Sequence, residues 1–113
     1  MNKRKLGKEW EEKACRYLSD NGYFILATNY TCPIGEIDII ASEHNTIAFV
    51  EVKYRKSSEY GYAAEAVTPK KQHTLQKTAM YYLTEKIHSV DVDCRFDVVC
   101  IDHDIITLIK DAF

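Results

Sequence analysis

The stretch Asn45-Thr46-Ile47-Ala48-Phe49-Val50-Glu51-Val52-Lys53 decides how this chain is to be read. Its β-branched and aromatic content marks a strand. Side chains alternate along a strand, so Ile47, Phe49, Glu51 and Lys53 share one face. That face is apolar for two positions and then carries an acid and an amine, both costly to bury unless paired or bound to metal. Thirteen residues before Glu51 stands Asp38, in Gly35-Glu36-Ile37-Asp38. Two carboxylates and a lysine at one end of a sheet are the equipment of metal-dependent phosphodiester hydrolysis.

Working outward, residues 6–21 read as a helix, because Leu6, Trp10, Ala14, Tyr17 and Leu18 recur at helical spacing and Asn21-Gly22 supplies a stop. Residues 23–30 read as a first strand and 36–42 as a second, with a turn at Pro33 and Gly35 between them. Glu43-His44-Asn45 is short enough for a hairpin into the third strand, which ends near Tyr54. Ile37, Ile39 and Ala41 are expected on one face of the second strand, with Asp38 and Ile40 on the other. Apolar residues on both faces imply a sheet covered on both sides.

Residues 55–67 read as a polar loop, and Thr68-Pro69 opens a second helix with an N-cap and a proline at the first helical position. Leu75, Ala79, Tyr82, Leu83 and Ile87 (or Lys86) form its inner stripe; Gln72 begins it one turn early and can point toward the end of the sheet. Residues 95–101 read as a last full strand, and a short strand over 105–109 can follow. The order α-β-β-β-α-β, with a crossover helix, defines one small α/β domain spanning residues 1–113.

Hydrophobic content of 46% and charged content of 28% are ordinary for a globular domain. No apolar stretch is long enough to span a bilayer, and the basic start has no apolar run after it, so neither an anchor nor a secretory signal is read and a cytoplasmic location is expected. The four cysteines (Cys15, Cys32, Cys94, Cys100) have no zinc-ribbon spacing and read as buried free thiols of a reducing compartment. The four histidines are scattered and read as surface residues. Net charge is −2, yet between Lys53 and Lys77 six basic residues face only Glu59 and Glu65. A local patch of Arg55, Lys56, Lys70, Lys71 and Lys77 suits a phosphate backbone, and equally a solvated loop and helix face.

Asp38 and Glu51 lie on strands joined by a tight hairpin, so their carboxylates are expected to meet on one face. Hard oxygen ligands suit Mg²⁺ or Mn²⁺, and the backbone carbonyl of Val52 is a natural further ligand. Lys53 would orient water or stabilise charge on the phosphate. Read alone, Glu-x-Lys in a strand is commonly a surface ion pair worth about 0–1 kcal/mol.

Gly35-Glu36-Ile37-Asp38-Ile39-Ile40-Ala41 followed by Phe49-Val50-Glu51-Val52-Lys53-Tyr54-Arg55 resembles the YraN-like family of bacterial proteins. Gly7-x-x-x-Glu11-x-x-Ala14, the block from Ala64 to Lys71, and Arg95-Phe96-Asp97 extend the resemblance over nearly the whole chain. By motif such proteins are similar to the PD-(D/E)XK nucleases and to archaeal Holliday-junction resolvases. The resemblance implies a restriction-endonuclease-like core, a central mixed sheet flanked by helices, with Asp38 and Glu51 binding metal and Lys53 serving catalysis. It also implies that Glu11 joins the metal site or orients a ligand, and that Gln72 contacts the site from the second helix. Two features depart from the wider pattern: Ile37 stands where the superfamily's proline would be, and the Gln-x-x-x-Tyr helix motif of some relatives is absent. From the residues alone, Glu11 sits at the edge of the buried stripe, where it can reach the sheet or stay in water. Glu36 shares a face with Asp38 and can support it or simply begin the strand. The expected activity is a Mg²⁺- or Mn²⁺-dependent endonuclease acting on branched or single-stranded DNA, for which a homodimer would suit paired cuts. The alternative is a non-catalytic nucleic-acid- or partner-binding module that keeps the fold.

Overall fold

A computed structural model of the chain describes residues 3–55 and 67–113, with backbone alone for residues 3–6 and 55. Helix α1 (Lys3–Asp20) buries Ala14 and Leu18 completely and Trp10 and Cys15 in part, as its apolar spacing requires. It stops where Gly22 takes a left-handed φ of 90°. Strands β1 (Phe24–Thr31), β2 (Glu36–Glu43) and β3 (Thr46–Arg55) then form an antiparallel meander. The β2–β3 turn is His44-Asn45, both at positive φ (49° and 66°), the tight two-residue hairpin that matches strand twist.

Helix α2 (Pro69–Tyr82) is capped by Thr68, whose hydroxyl accepts the Lys71 N–H at 3.2 Å. It runs on through a π-helical turn, Leu83–Ile87, and closes at His88 with φ 63°. The chain crosses back into β4 (Cys94–Asp102), parallel to β3, and folds into β5 (Ile105–Ile109), antiparallel to β4. The five strands lie in chain order in one open mixed sheet, so the described chain is a mixed α/β fold with two helices.

Two apolar layers cover the sheet. On the α1 side Ala14, Leu18, Ile39, Ala48, Val50 and Val99 pack together; on the α2 side Ile37, Ile40, Phe49, Leu75, Tyr82 and Val98 do. Ile37 therefore packs opposite to Ile39, where simple alternation would put both on one face. The simple alternation of faces along β2 is therefore broken between these two residues. Gly35, just before β2, has a packing reason to lack a side chain, since a Cβ there would lie 3.0 Å from Thr74 Cγ2 and Thr78 Oγ1 of α2.

At the β2–β3 hairpin end, the sheet is held by charge. Asp97 on β4 is wholly buried; it accepts from the Tyr23 hydroxyl at 2.8 Å, from Arg95 Nε at 3.0 and 3.1 Å, and from the Asp111 N–H at 2.9 Å. Arg95 also donates to Glu43 at 2.6 Å, and Lys110 to the same carboxylate at 2.8 and 3.0 Å. Every acid in this cluster is matched by donors, which is how buried charge is made tolerable.

All four histidines are exposed. No disulfide forms among the described residues, but only Cys100 is buried: Cys94 is exposed and Cys15 and Cys32 are half-buried, because they fall at the edges of the two layers rather than inside them. No helix among the described residues is long and apolar enough to cross a membrane.

Candidate functional site

At the opposite end of the sheet the β2–β3 ladder stops at the pair Ile39 and Val50. One step beyond stand Asp38 and Glu51. Asp38 Oδ2 accepts the N–H of Val52 at 2.8 Å, so its side chain takes a backbone donor where strand pairing ends. Glu51 is only 7% exposed, and Lys53 Nζ lies 3.5 Å from its Oε1. Lys53 itself keeps a partly open side chain.

The two carboxylates do not share one face as alternation alone suggests. Ile47 and Phe49 belong to the α2 layer, and Glu51 and Lys53 follow them along that face. Asp38 instead lines a cleft of about 150 Å³ on the α1 side, together with Gly7, Trp10, Glu11, Val52 and Tyr54. The site thus wraps around the open end of β2 and β3, with Glu11 and Asp38 approaching from one side and Glu51 and Lys53 from the other.

Helix α1 delivers Glu11 to the cleft, settling the two placements open to it in sequence. Its Oε1 is buried and has no hydrogen-bond partner. Trp10 beside it stacks on Tyr54 with ring centroids 3.7 Å apart and planes 8° from parallel, tying α1 to the end of β3.

All three acids hold their protons more tightly than ordinary carboxyls. Burial raises Glu51, and the Asp38 charge adds to it, while Lys71 and Lys53 pull it back. Burial likewise raises Asp38, against the Val52 N–H and Lys71. Glu11 is raised by burial and then by Asp38, opposed by a hydrogen bond from the Asn29 side chain to its carboxylate. Asp38 is the charge common to both flanks, raising Glu11 on one side and Glu51 on the other.

Among the α2 residues, Lys71 is the one whose charge acts on both Asp38 and Glu51. The sequence assigns Lys71 only to a phosphate-binding patch; its place on the first turn of α2, after the Thr68 cap, could have flagged it. Gln72, expected at the site, spends its Nε2 on the carbonyl of Val67 at 2.9 Å and braces the start of α2. Lys70 and Lys77 are exposed. The Arg55 side chain, Lys56 and the greater part of the 55–67 loop lie outside the described residues. Among the described residues no three histidine, cysteine, aspartate or glutamate side chains converge tightly enough to cage a metal by themselves.

A family model described as "Uncharacterised protein family UPF0102" matches residues 10–101. A UPF0102 protein of Lachnoclostridium phytofermentans is 49% identical over the whole chain and 96% of its own length. One from Caldicellulosiruptor saccharolyticus is 46% identical with both chains covered in full. The UPF0102 protein YraN of Escherichia coli is 45% identical over the whole chain and 87% of its own length.

Proposed function

The chain belongs to the uncharacterised protein family UPF0102, and from that premise we propose that it is a Mg²⁺- or Mn²⁺-dependent endonuclease with a restriction-endonuclease-like core, hydrolysing phosphodiester bonds in DNA. The observation that carries the reading is the unpartnered, buried Glu11 Oε1 in the cleft that Asp38 also lines. A buried acceptor without a donor costs about 1–3 kcal/mol, and a neighbouring carboxylate makes matters worse. A divalent cation relieves both penalties at once. Asp38, with either Glu11 or Glu51 beside it and the Val52 carbonyl, would supply the oxygens that hold it, since Mg²⁺ typically needs only one or two protein carboxylates, its remaining positions going to water and phosphate. When bound, the metal would acidify water and draw charge off the phosphate.

The protein's own groups divide the remaining work. The Val52 N–H fixes the Asp38 carboxylate in direction. Lys53, held near Glu51 and partly open to solvent, can lend its ammonium to a non-bridging phosphate oxygen as charge builds there. Lys71 offers a second positive charge on the α2 side, suited to anchoring the substrate backbone.

One observation favours the second reading, a nucleic-acid-binding module without catalysis: Lys53 and Lys71 already offset part of the acidic charge. Cleavage of labelled four-way, flapped, single-stranded and linear duplex DNA with Mg²⁺ or Mn²⁺, with Lys53→Ala alongside, separates the two. Metal-dependent cutting that disappears in Lys53→Ala supports the nuclease. Binding by the folded protein without cutting of any substrate supports the module.

A further inference from the structure

The geometry points to a nucleotide pocket beside the cleft, between α1 and β1, that takes one unpaired nucleobase next to the scissile phosphate; this deepens the nuclease reading and rests on it. The cleft itself, at about 150 Å³, is well below the usual size of small-molecule sites. Directly against it lies a cavity of about 520 Å³, inside the range of small-molecule sites, about 300–1,000 Å³. Glu11 lines both spaces, so whatever fills the larger one abuts the group at the smaller.

The lining suits a base and its backbone. Lys8 and Arg16 stand on α1 eight residues apart, about 12 Å along the axis, and offer cations to flanking phosphates. Between them Glu12 can accept from an exocyclic amine, while Thr28 of β1 supplies a hydroxyl. Asn29 stands at φ 52°, a backbone state that asparagine tolerates better than most residues and that sets it apart from the regular strand. A duplex base cannot reach such a space without leaving its stack, so the pocket selects nucleotides that are already unpaired. The substrate class that follows is DNA with an extrahelical or junction-exposed nucleotide.

Two measurements test this on the full chain. The first compares metal-dependent cleavage of a duplex carrying one extrahelical adenine with the same duplex carrying an abasic residue there, for wild type and Thr28→Trp, an exposed edge-strand position where indole would fill the cavity. Wild type should prefer the base by about tenfold, the discrimination of one good polar base contact. Thr28→Trp should lose that preference. The second measurement places 2-aminopurine at the extrahelical position and reads its emission in EDTA, with wild type, Lys53→Ala and Thr28→Trp. No aromatic side chain among the described residues lines the cavity, so emission should rise with the first two proteins and stay flat with the third. Equal cleavage of both substrates with flat emission overturns the pocket and leaves the nuclease standing. Rising emission without cleavage of any substrate overturns the nuclease and keeps the pocket. A Thr28→Trp protein that retains either signal at full strength overturns the pocket as placed here, and its circular dichroism confirms that the comparison is between folded proteins.

Discussion

Replacing Asp97 with alanine should be among the most damaging single changes available to this fold. Asp97 is wholly buried, and its carboxylate is the shared acceptor for Tyr23, Arg95 and the Asp111 backbone. Its removal leaves the Arg95 guanidinium, with a side chain only 18% exposed, facing Glu43 and the Tyr23 hydroxyl alone. Breaking one side of a buried ion pair costs about 3–5 kcal/mol, mostly for the charge left behind. For 113 residues the unfolding entropy is about 240 cal/mol/K, so each kcal/mol is worth about 4 °C and the melting temperature should fall by about 12–20 °C. Thermal and urea unfolding followed by circular dichroism would measure it. Arg95→Met combined with Asp97→Ala should cost less than the two single changes added together, because no unmatched cation remains. A drop below about 4 °C for Asp97→Ala, or strict additivity of the pair, would refute the view that this network holds the sheet's end together.

The opposite sign is expected at the other end of the sheet. In the metal-free protein Asp38→Asn should raise the melting temperature, and Mn²⁺ should raise that of wild type but not of the variant; a variant that gains as much from Mn²⁺ would remove Asp38 from the metal site. The pH dependence follows from the directions of the shifts. Glu11, Asp38 and Glu51 have folded values raised above the unfolded ones, so they destabilise the metal-free protein at neutral pH and release that penalty as pH falls through the raised values toward about 4. Glu43 is held below its ordinary value, first by the Lys110 hydrogen bond and also by Arg95, so its stabilisation is present above the unfolded value and lost in more acid solution. Metal-free stability measured across pH should therefore peak on the acid side of neutrality, and saturating Mg²⁺ should flatten the neutral limb. Lys53→Ala should abolish cleavage with the fold intact, and Lys53→Arg should fail to restore it, since a planar fork does not replace a compact ammonium. Gly35→Ala should cost about 1–3 kcal/mol in urea unfolding, because its methyl would press on Thr74 and on the fully buried Thr78.

The element order was legible because each piece advertises itself locally. Thr68-Pro69 caps α2 as read, His44-Asn45 makes the hairpin, and the short strand at Ile105–Ile109 forms beside β4. Asp38, Glu51 and Lys53 do gather at one end of the sheet. What period-two reasoning could not see is a break in the alternation of faces: Ile37 and Ile39 look alike in sequence yet feed opposite layers. Nor could helical spacing say that Gln72 would be taken by the Val67 carbonyl while Lys71 acts on the acids. Asp97 is hidden for a different reason. An isolated Arg-x-Asp on a strand looks like a surface pair until Tyr23, Glu43 and Lys110 arrive from distant parts of the chain.

Trp10 is the chain's one tryptophan, and it lies flat on Tyr54 at the lip of the cleft, next in sequence to Glu11. The protein therefore carries its own optical probe at its most interesting point. Excitation at the red edge of indole absorption, where the tyrosines absorb little, reports from that single indole, so its emission follows the arrival of an ion, a strand of DNA or a denaturant without any label. The same ring marks the seam between the first helix and the third strand, and one cuvette can follow both occupancy of the cleft and parting of that seam.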